Sequence, residues 1–516
     1  MKKISVLAVL FCITLFTFSQ KKFTLENVVK ATLKGSGAIY EGGIVKGYYV
    51  FYESEKIDRK TRQYVIQILD QNTNPVQKAE FAESKDIILR DAEFNENSLC
   101  FFMINEDEKK YIYKIFDLNG KLKYEYFKKF DNGDYAIFLE SIKMNGTGDD
   151  QTSNNLIAIP NQGFASILPV RENGSNIFEL GYYSSNENKE NVHRPKFEER
   201  QVSCFLLNVI DNTIYLAVNK KKRLLAGELT SCTYAFDVVK QEKVFELSDK
   251  IDPPYRSLPT YITKDEKTGD LIVSASYFNE TDNVIKDYSL GIAFYTMSKD
   301  GQLLSKKYNG WQDGFSKFLT IDEKGKTAEI GFLCILNVKK SAEGKFYILA
   351  EGYKRQFSAG NAVMSMFTKG AAGFTKITVT DLVLMEFDNT FKLTKGTLYR
   401  KTPSTAISGQ IADYASQHML ALLLRSTGSF GYEFSTSNKD NSVFSFCYSD
   451  YEKSKEYKGG TFNAIKFSAG KFTTDKIQLT SNASFIRIFP AKQGFVGILE
   501  YFRKEKKIEF RLEKMN

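Results

Sequence analysis

Tyr111-Ile-Tyr-Lys-Ile-Phe-Asp-Leu-Asn-Gly-Lys-Leu-Lys-Tyr-Glu-Tyr-Phe127 reads as an apolar strand, a tight turn and a second strand. The turn falls at Asp117-Leu-Asn-Gly120, because Asn and Gly tolerate the positive φ that tight hairpin turns require. The unit returns as Leu290-Gly-Ile-Ala-Phe-Tyr-Thr-Met-Ser-Lys-Asp-Gly-Gln-Leu-Leu-Ser-Lys-Lys-Tyr308. Weaker copies run over residues 66–81, 233–247, 382–399 and 462–479. One such unit cannot bury its own apolar face, so the repetition implies a body of stacked copies.

Composition agrees with that reading. The 516 residues exceed one ordinary domain core, which leaves several domains or one repeat-built body. Phe and Tyr number 42 and 29 against a single Trp, a bias toward residues that favour pleated, half-buried surfaces. Short turns between strands make antiparallel sheets, and serial four-stranded sheets are the blades of a β-propeller. Grouping the strands gives blocks over 37–81, 86–127, 154–197, 202–247, 259–308, 331–399 and 428–479, then a three-stranded block over 485–513. The fold expected is all-β, a single propeller of antiparallel four-stranded blades with few short helices. The blades number eight, or seven if the irregular third block merges with a neighbour. Residues 23–33 could supply the missing strand of the last block and so close the ring. Two stacked β-sandwich domains would show similar strands.

Residues 1–19 stand apart. Lys2 and Lys3 precede an apolar run from Ile4 to Phe16 and then Thr17-Phe18-Ser19, the pattern of a secretory signal peptide cleaved after Ser19. Phe11 stands where a lipoprotein signal would need a small residue before Cys12. The expected chain is therefore periplasmic or extracellular, with residues 20–516 as the propeller and no membrane span. Without residues 1–19 there remain 69 basic and 62 acidic residues, a balance too mild for a nucleic-acid footprint. The cluster Lys220-Lys221-Lys222-Arg223 reads as a solvated loop between strands. Five cysteines remain (Cys100, Cys204, Cys232, Cys334 and Cys447), expected as free buried thiols, with a disulfide open only for Cys232. Three insertions interrupt the repeat: 131–155 reads as a surface loop, 358–374 as a small-residue segment with two Met, and 402–416 as a short helix beside the ring.

Chemistry is sparse. His193 and His418 are the only histidines, which excludes a multi-histidine metal centre and disfavours a serine–histidine–acid triad. Neither Gly-x-Ser-x-Gly nor His-Glu-x-x-His occurs. Gly35-Ser-Gly37 precedes a strand and not a helix, so it reads as a turn and not a phosphate loop. The acids at 131–134, 149–150 and 265–270 lack calcium-loop spacing and read as turn residues. No metal or cofactor is expected. The ligand-contact candidates are Trp311 and Asp313 on a glycine-flanked loop, with Trp311 otherwise a packed anchor between blades, and His193 with Arg194 in a polar stretch, with His193 otherwise an exposed loop residue.

The blocks resemble β-propellers in turn pattern but lack Trp-Asp, kelch or Asp-box signatures. From the leader through Gly47-Tyr-Tyr to Thr380-Asp-Leu-Val-Leu-Met-Glu-Phe-Asp388, the chain resembles exported Gram-negative envelope proteins grouped only as a domain of unknown function. That resemblance implies no activity. Two expectations follow: a monomeric, non-enzymatic propeller that binds an envelope protein or peptide, or a carbohydrate-active hydrolase or lyase with paired carboxylates at the ring axis. The single Trp weighs against the second.

Overall fold

In the computed structural model, which describes residues 22–144, 156–222, 229–284, 286–358, 374–408, 413 and 416–515, the repeat resolves into eight four-stranded antiparallel units. Blades one to eight span 30–84, 87–129, 157–193, 201–248, 255–310, 331–399, 432–478 and 485–514, the last completed by an N-terminal strand. Blades three and four share one continuous sheet, but a single parallel pair, Asn176 with Gln201, is the one strand pairing between them. They count as two blades, so the third block does not merge.

The opening hairpin forms the two outer strands of blade two, Lys110–Phe116 and Leu122–Lys129, with Ile112 opposite Phe127. Its turn is closed by the Asp117 carboxylate, which accepts the backbone N–H groups of Asn119 and Lys121. Asp70, Asp322 and Asp388 repeat this turn in other blades, which accounts for acids that carry no ligand chemistry.

Each blade is apolar on both faces and packs against two neighbours, and this explains the aromatic bias. Apolar layers fill all eight junctions: Tyr48 with Phe510 between blades eight and one, Phe51 with Phe101 between one and two, Tyr113 with Tyr183 between two and three. Phe178 meets Tyr234 between three and four, and Phe294 meets Phe387 between five and six. Tyr347 meets Phe444 between six and seven, Tyr215 and Phe245 share a layer with Tyr277 and Tyr295 between four and five, and Phe434 and Phe462 share one with Ile488 and Ile498 between seven and eight. Burying each large side chain contributes about 1.5–3 kcal/mol, so every junction is held by several such contributions. Closure is made by Lys22–Leu25, which pairs antiparallel with Lys507–Lys514, Phe23 opposite Phe510.

Three local readings change. Residues 131–155 are not simply a loop: Asn132–Met144 is an α-helix (α1), started by Asp131, whose carboxylate accepts the Asp134 N–H at 2.8 Å. Its Tyr135 and Phe138 enter the layer between blades two and three, so burial of one turn outweighs the Asn- and Gly-rich composition. Within 402–416, Ser404–Ser408 is a strand, because the long strand Thr375–Phe387 runs past its blade and offers a free edge at 376–379. Asp413 is helical, residues 409–412 and 414–415 lie outside the described residues, and a helix, α2, follows at Gln417–Ser426. Gly35–Ser36–Gly37 lies in the strand Lys30–Glu41 beside a bulge, not in a turn. Residues 1–19 and most of 358–374 lie outside the described residues.

Candidate functional site

The first strand of each blade is innermost, and in blades two, four, five, six and seven it carries a one-residue register slip, such as Leu206/Asn208, Pro259/Tyr261 and Ile335/Asn337. A bulge of this kind turns backbone groups out of the ladder. In blade five it frees the Thr260 carbonyl, which accepts a hydrogen bond from the Arg425 guanidinium on α2 at 3.2 Å.

Between these strands and α2 lies a cavity of about 350 Å³. Its walls are the inner strands Gln201–Ile210, Tyr255–Lys264 and Gly331–Lys340 of blades four to six, with Ile167 and Phe178 from blade three. Helix α2 roofs it. His418, Ala421, Leu422 and Arg425 recur at three- and four-residue spacing and form the cavity face of the helix. Leu420 and Leu424 face the other way and pack on Tyr353, Ile377 and Val379 of blade six. The Ser416 hydroxyl caps the helix by accepting the Met419 N–H, and the Tyr353 hydroxyl donates to the Gln417 carbonyl at 2.8 Å.

The electrostatics of this space follow from burial. Desolvation pushes the Cys204 and Cys334 thiols up, Cys334 to about 12, and raises the Tyr353 phenol well above its ordinary value. It pushes His418 down to about 4, against a weaker upward pull from a hydrogen bond to the Asp287 backbone. The His418 ring borders the cavity while the Phe278 ring packs its edge, so it is enclosed by protein although not fully shielded. At neutral pH all four groups are therefore uncharged. Among the described lining residues there is no Asp or Glu, and the cations are Arg425 and the exposed Lys324. Asn219 and Gln417 also border the space, and their enclosed side-chain oxygens have no hydrogen-bond donor among the described residues. With its thiols protonated and no carboxylate among its described residues, this lining offers no activated nucleophile.

Of the sequence candidates, Trp311 belongs to this site, but as wall and not as an exposed contact. It is 7% exposed, packs between blades five and six, and donates its indole N–H to the Ser289 carbonyl at 2.7 Å. Gly325 makes room for it, since a Cβ there would sit 2.7 Å from the indole. Asp313, two residues on, is exposed on the outside of that turn. His193 is not an exposed loop residue: it lies half-buried on the outer strand Glu190–His193, stacked on Phe236 at 4.1 Å and bonded to the Tyr234 hydroxyl. Arg194 is held by the buried Glu179 at 2.8 Å, which also takes Lys128 from blade two. The structure thus places the four candidates in separate surroundings. Arg425, His418 and Gln417 escaped the sequence reading; their signal was the helical spacing of 418, 421, 422 and 425, whose partners on three other blades no local pattern names.

The five described cysteines, Cys100, Cys204, Cys232, Cys334 and Cys447, are free thiols; Cys232 lies beside Glu246 and not beside a second sulfur. Among the described residues no three His, Cys, Asp or Glu side chains gather as a metal site, and no helix is long and apolar enough to cross a membrane.

Fold and site together define a closed eight-bladed β-propeller with an apolar cavity beside its axis. The chain belongs to DUF6770, a family of unknown function whose model matches residues 1–516. No curated protein matches it. Among solved structures it is similar to Raptor from Chaetomium thermophilum, at 9% identity over 98% of this chain and 30% of that one, with a TM-score of 0.36. Prolyl oligopeptidase B from Galerina marginata matches at 9% identity, over 92% of this chain and 55% of that one, with a TM-score of 0.42. The β-propeller domain of the Trilobed protease from Pyrococcus furiosus matches at 12% identity, over 69% and 94%, with a TM-score of 0.28. The chain thus spans less than two thirds of the first two.

Proposed function

We propose that this protein is a non-enzymatic propeller of the Gram-negative cell envelope, exported through its N-terminal leader, that binds a protein or peptide partner in the cavity under α2. The cavity is the observation that carries this reading. Ligand sites are concave and mostly apolar with a few polar groups, and about 350 Å³ falls within their usual range. Room for roughly a dozen water-sized groups at about 30 Å³ each suits the apolar end of a chain, not a folded surface. The carbohydrate-active alternative finds no support here. It needs two carboxylates around one bond, whereas buried acids such as Glu351, Asp249 and Glu179 are each held in ion pairs, with Lys401, Arg256 and Arg194.

The single tryptophan lines the cavity and so serves as the reporter. Titration with short apolar peptides, followed by Trp311 fluorescence and calorimetry, is expected to give saturable binding that A421F, which fills the cavity, abolishes. Absence of both heat and fluorescence change across free-acid and amidated peptides would overturn the reading.

A further inference from the structure

Arg425 stands out within the cavity. A guanidinium has five N–H donors and is always charged, yet its hydrogen-bond partner among the described residues is one carbonyl, Thr260 O at 3.2 Å, and no described carboxylate pairs with it. Two more deeply buried cations meet acids: Lys401 meets Glu351 and Arg256 meets Asp249. Arg425 is half-buried, and a cation on an apolar wall keeps part of its desolvation cost until an anion arrives. Two more groups lack partners nearby, the amide oxygens of Asn219 and Gln417, which need N–H donors.

From these we infer that the cavity recognises the free C-terminus of an apolar peptide, with Arg425 gripping the terminal carboxylate, the Asn219 and Gln417 amides taking backbone N–H groups, and the Leu206, Leu422 and Ile335 surfaces receiving the last side chains. Charge, hydrogen bonding and shape each select this ligand. A carboxylate satisfies a planar fork bidentately. An amide oxygen that turns toward the space gains the donor it lacks, and an unmade buried hydrogen bond costs about 1–3 kcal/mol. A fatty acid would answer Arg425 and the walls but offer the two amides no N–H. The exposed Lys324 adds positive potential near the cavity without competing for the enclosed position.

This inference rests on the proposed binding role, and its test separates the two. The probes are acetyl-Ala-Leu-Leu as the free acid, the same peptide amidated, and decanoate, titrated calorimetrically into the wild type, R425Q and R425K, with thermal melts to show that each variant is folded. The free acid is expected to bind at least tenfold more tightly than the amide. R425Q should erase that preference and R425K should restore part of it. Equal binding of acid and amide to the wild type would overturn the role of Arg425 while leaving the cavity as a peptide site. Tighter binding of decanoate than of the free-acid peptide would overturn the peptide assignment. Failure of all three to bind would overturn the binding role itself.

Discussion

Glu351 is fully buried and receives Lys401 Nζ at 2.5 Å and the Gly431 N–H at 2.9 Å, so a charge pair and a backbone donor tie blade six to the start of blade seven. Burial pushes the carboxyl pKa up while Lys401 holds it down; every neighbour is a donor, which an ionised carboxylate uses fully. K401M leaves this charge alone and is expected to cost about 3–5 kcal/mol in denaturant unfolding, whereas the double replacement K401M/E351L should recover much of that. Gly431 cannot change either, because a Cβ would lie 2.7 Å from the Ser449 carbonyl. His418 makes a pH-dependent contribution of definite sign. Its folded pKa of about 4 lies below the ordinary value of about 6.5. Between those values the unfolded chain takes up a proton that the folded one refuses, so stability is full above about pH 6.5 and falls as pH drops toward 4. Urea unfolding at pH 7.5 and pH 5 should show the wild type losing more stability than H418Q; an equal loss in both would remove His418 as the cause.

At the scale of elements, the two helices show why local pattern misleads. Helix α1 arises where composition signals a loop, because Asp131 caps it and Phe138, wholly buried, locks it into the layer between blades two and three. F138A is expected to cost about 3–5 kcal/mol, the usual range for emptying a buried Phe site. A loss below about 1 kcal/mol in chemical denaturation would mean that the helix is only loosely docked. Helix α2 is amphipathic on two sides, with one face in the blade-six core and the other over the cavity. S416A removes its cap and is expected to cost about 1 kcal/mol. Because the same turn carries Gln417 and His418, that variant should also weaken peptide binding more than a distant substitution of equal cost.

For the whole molecule, ring closure depends on four residues near the N-terminus. Lys22–Leu25 supplies the outer strand of blade eight, Leu25 and Val28 are buried, and the Val28 N–H donates to the Lys506 carbonyl at 2.7 Å. Deleting residues 21–29 exposes the edge Lys507–Lys514 and forfeits about 4 kcal/mol from Leu25 and Val28 alone, at roughly 2 kcal/mol each. A clear fall in melting temperature is expected, together with concentration-dependent association through the uncovered edge. An unchanged melting temperature would show that the ring holds without this strand.

Sequence by itself determined the blade plan of this protein. Hairpins are local, so Asp117 and Gly120 mark their own turn and the apolar run from Tyr111 to Phe116 marks its own strand. Block boundaries followed to within seven residues, and of the expected closing segment 23–33 the part up to Leu25 completes the last blade while 30–33 open blade one. Tertiary structure decided what the side chains do. Trp311 became a wall, His193 a stacking partner of Phe236, and Arg194 a clamp on Glu179, because each meets residues from another strand or blade. The cavity is the fullest case: Thr260, Asn219, Trp311 and Arg425 lie up to 206 positions apart in the chain and meet only because the ring brings three inner strands under one helix. Local sequence sets backbone geometry through φ, ψ and hydrogen bonding over a few residues. Which apolar and charged groups share an enclosure is set by closure of the ring, a property of the whole chain.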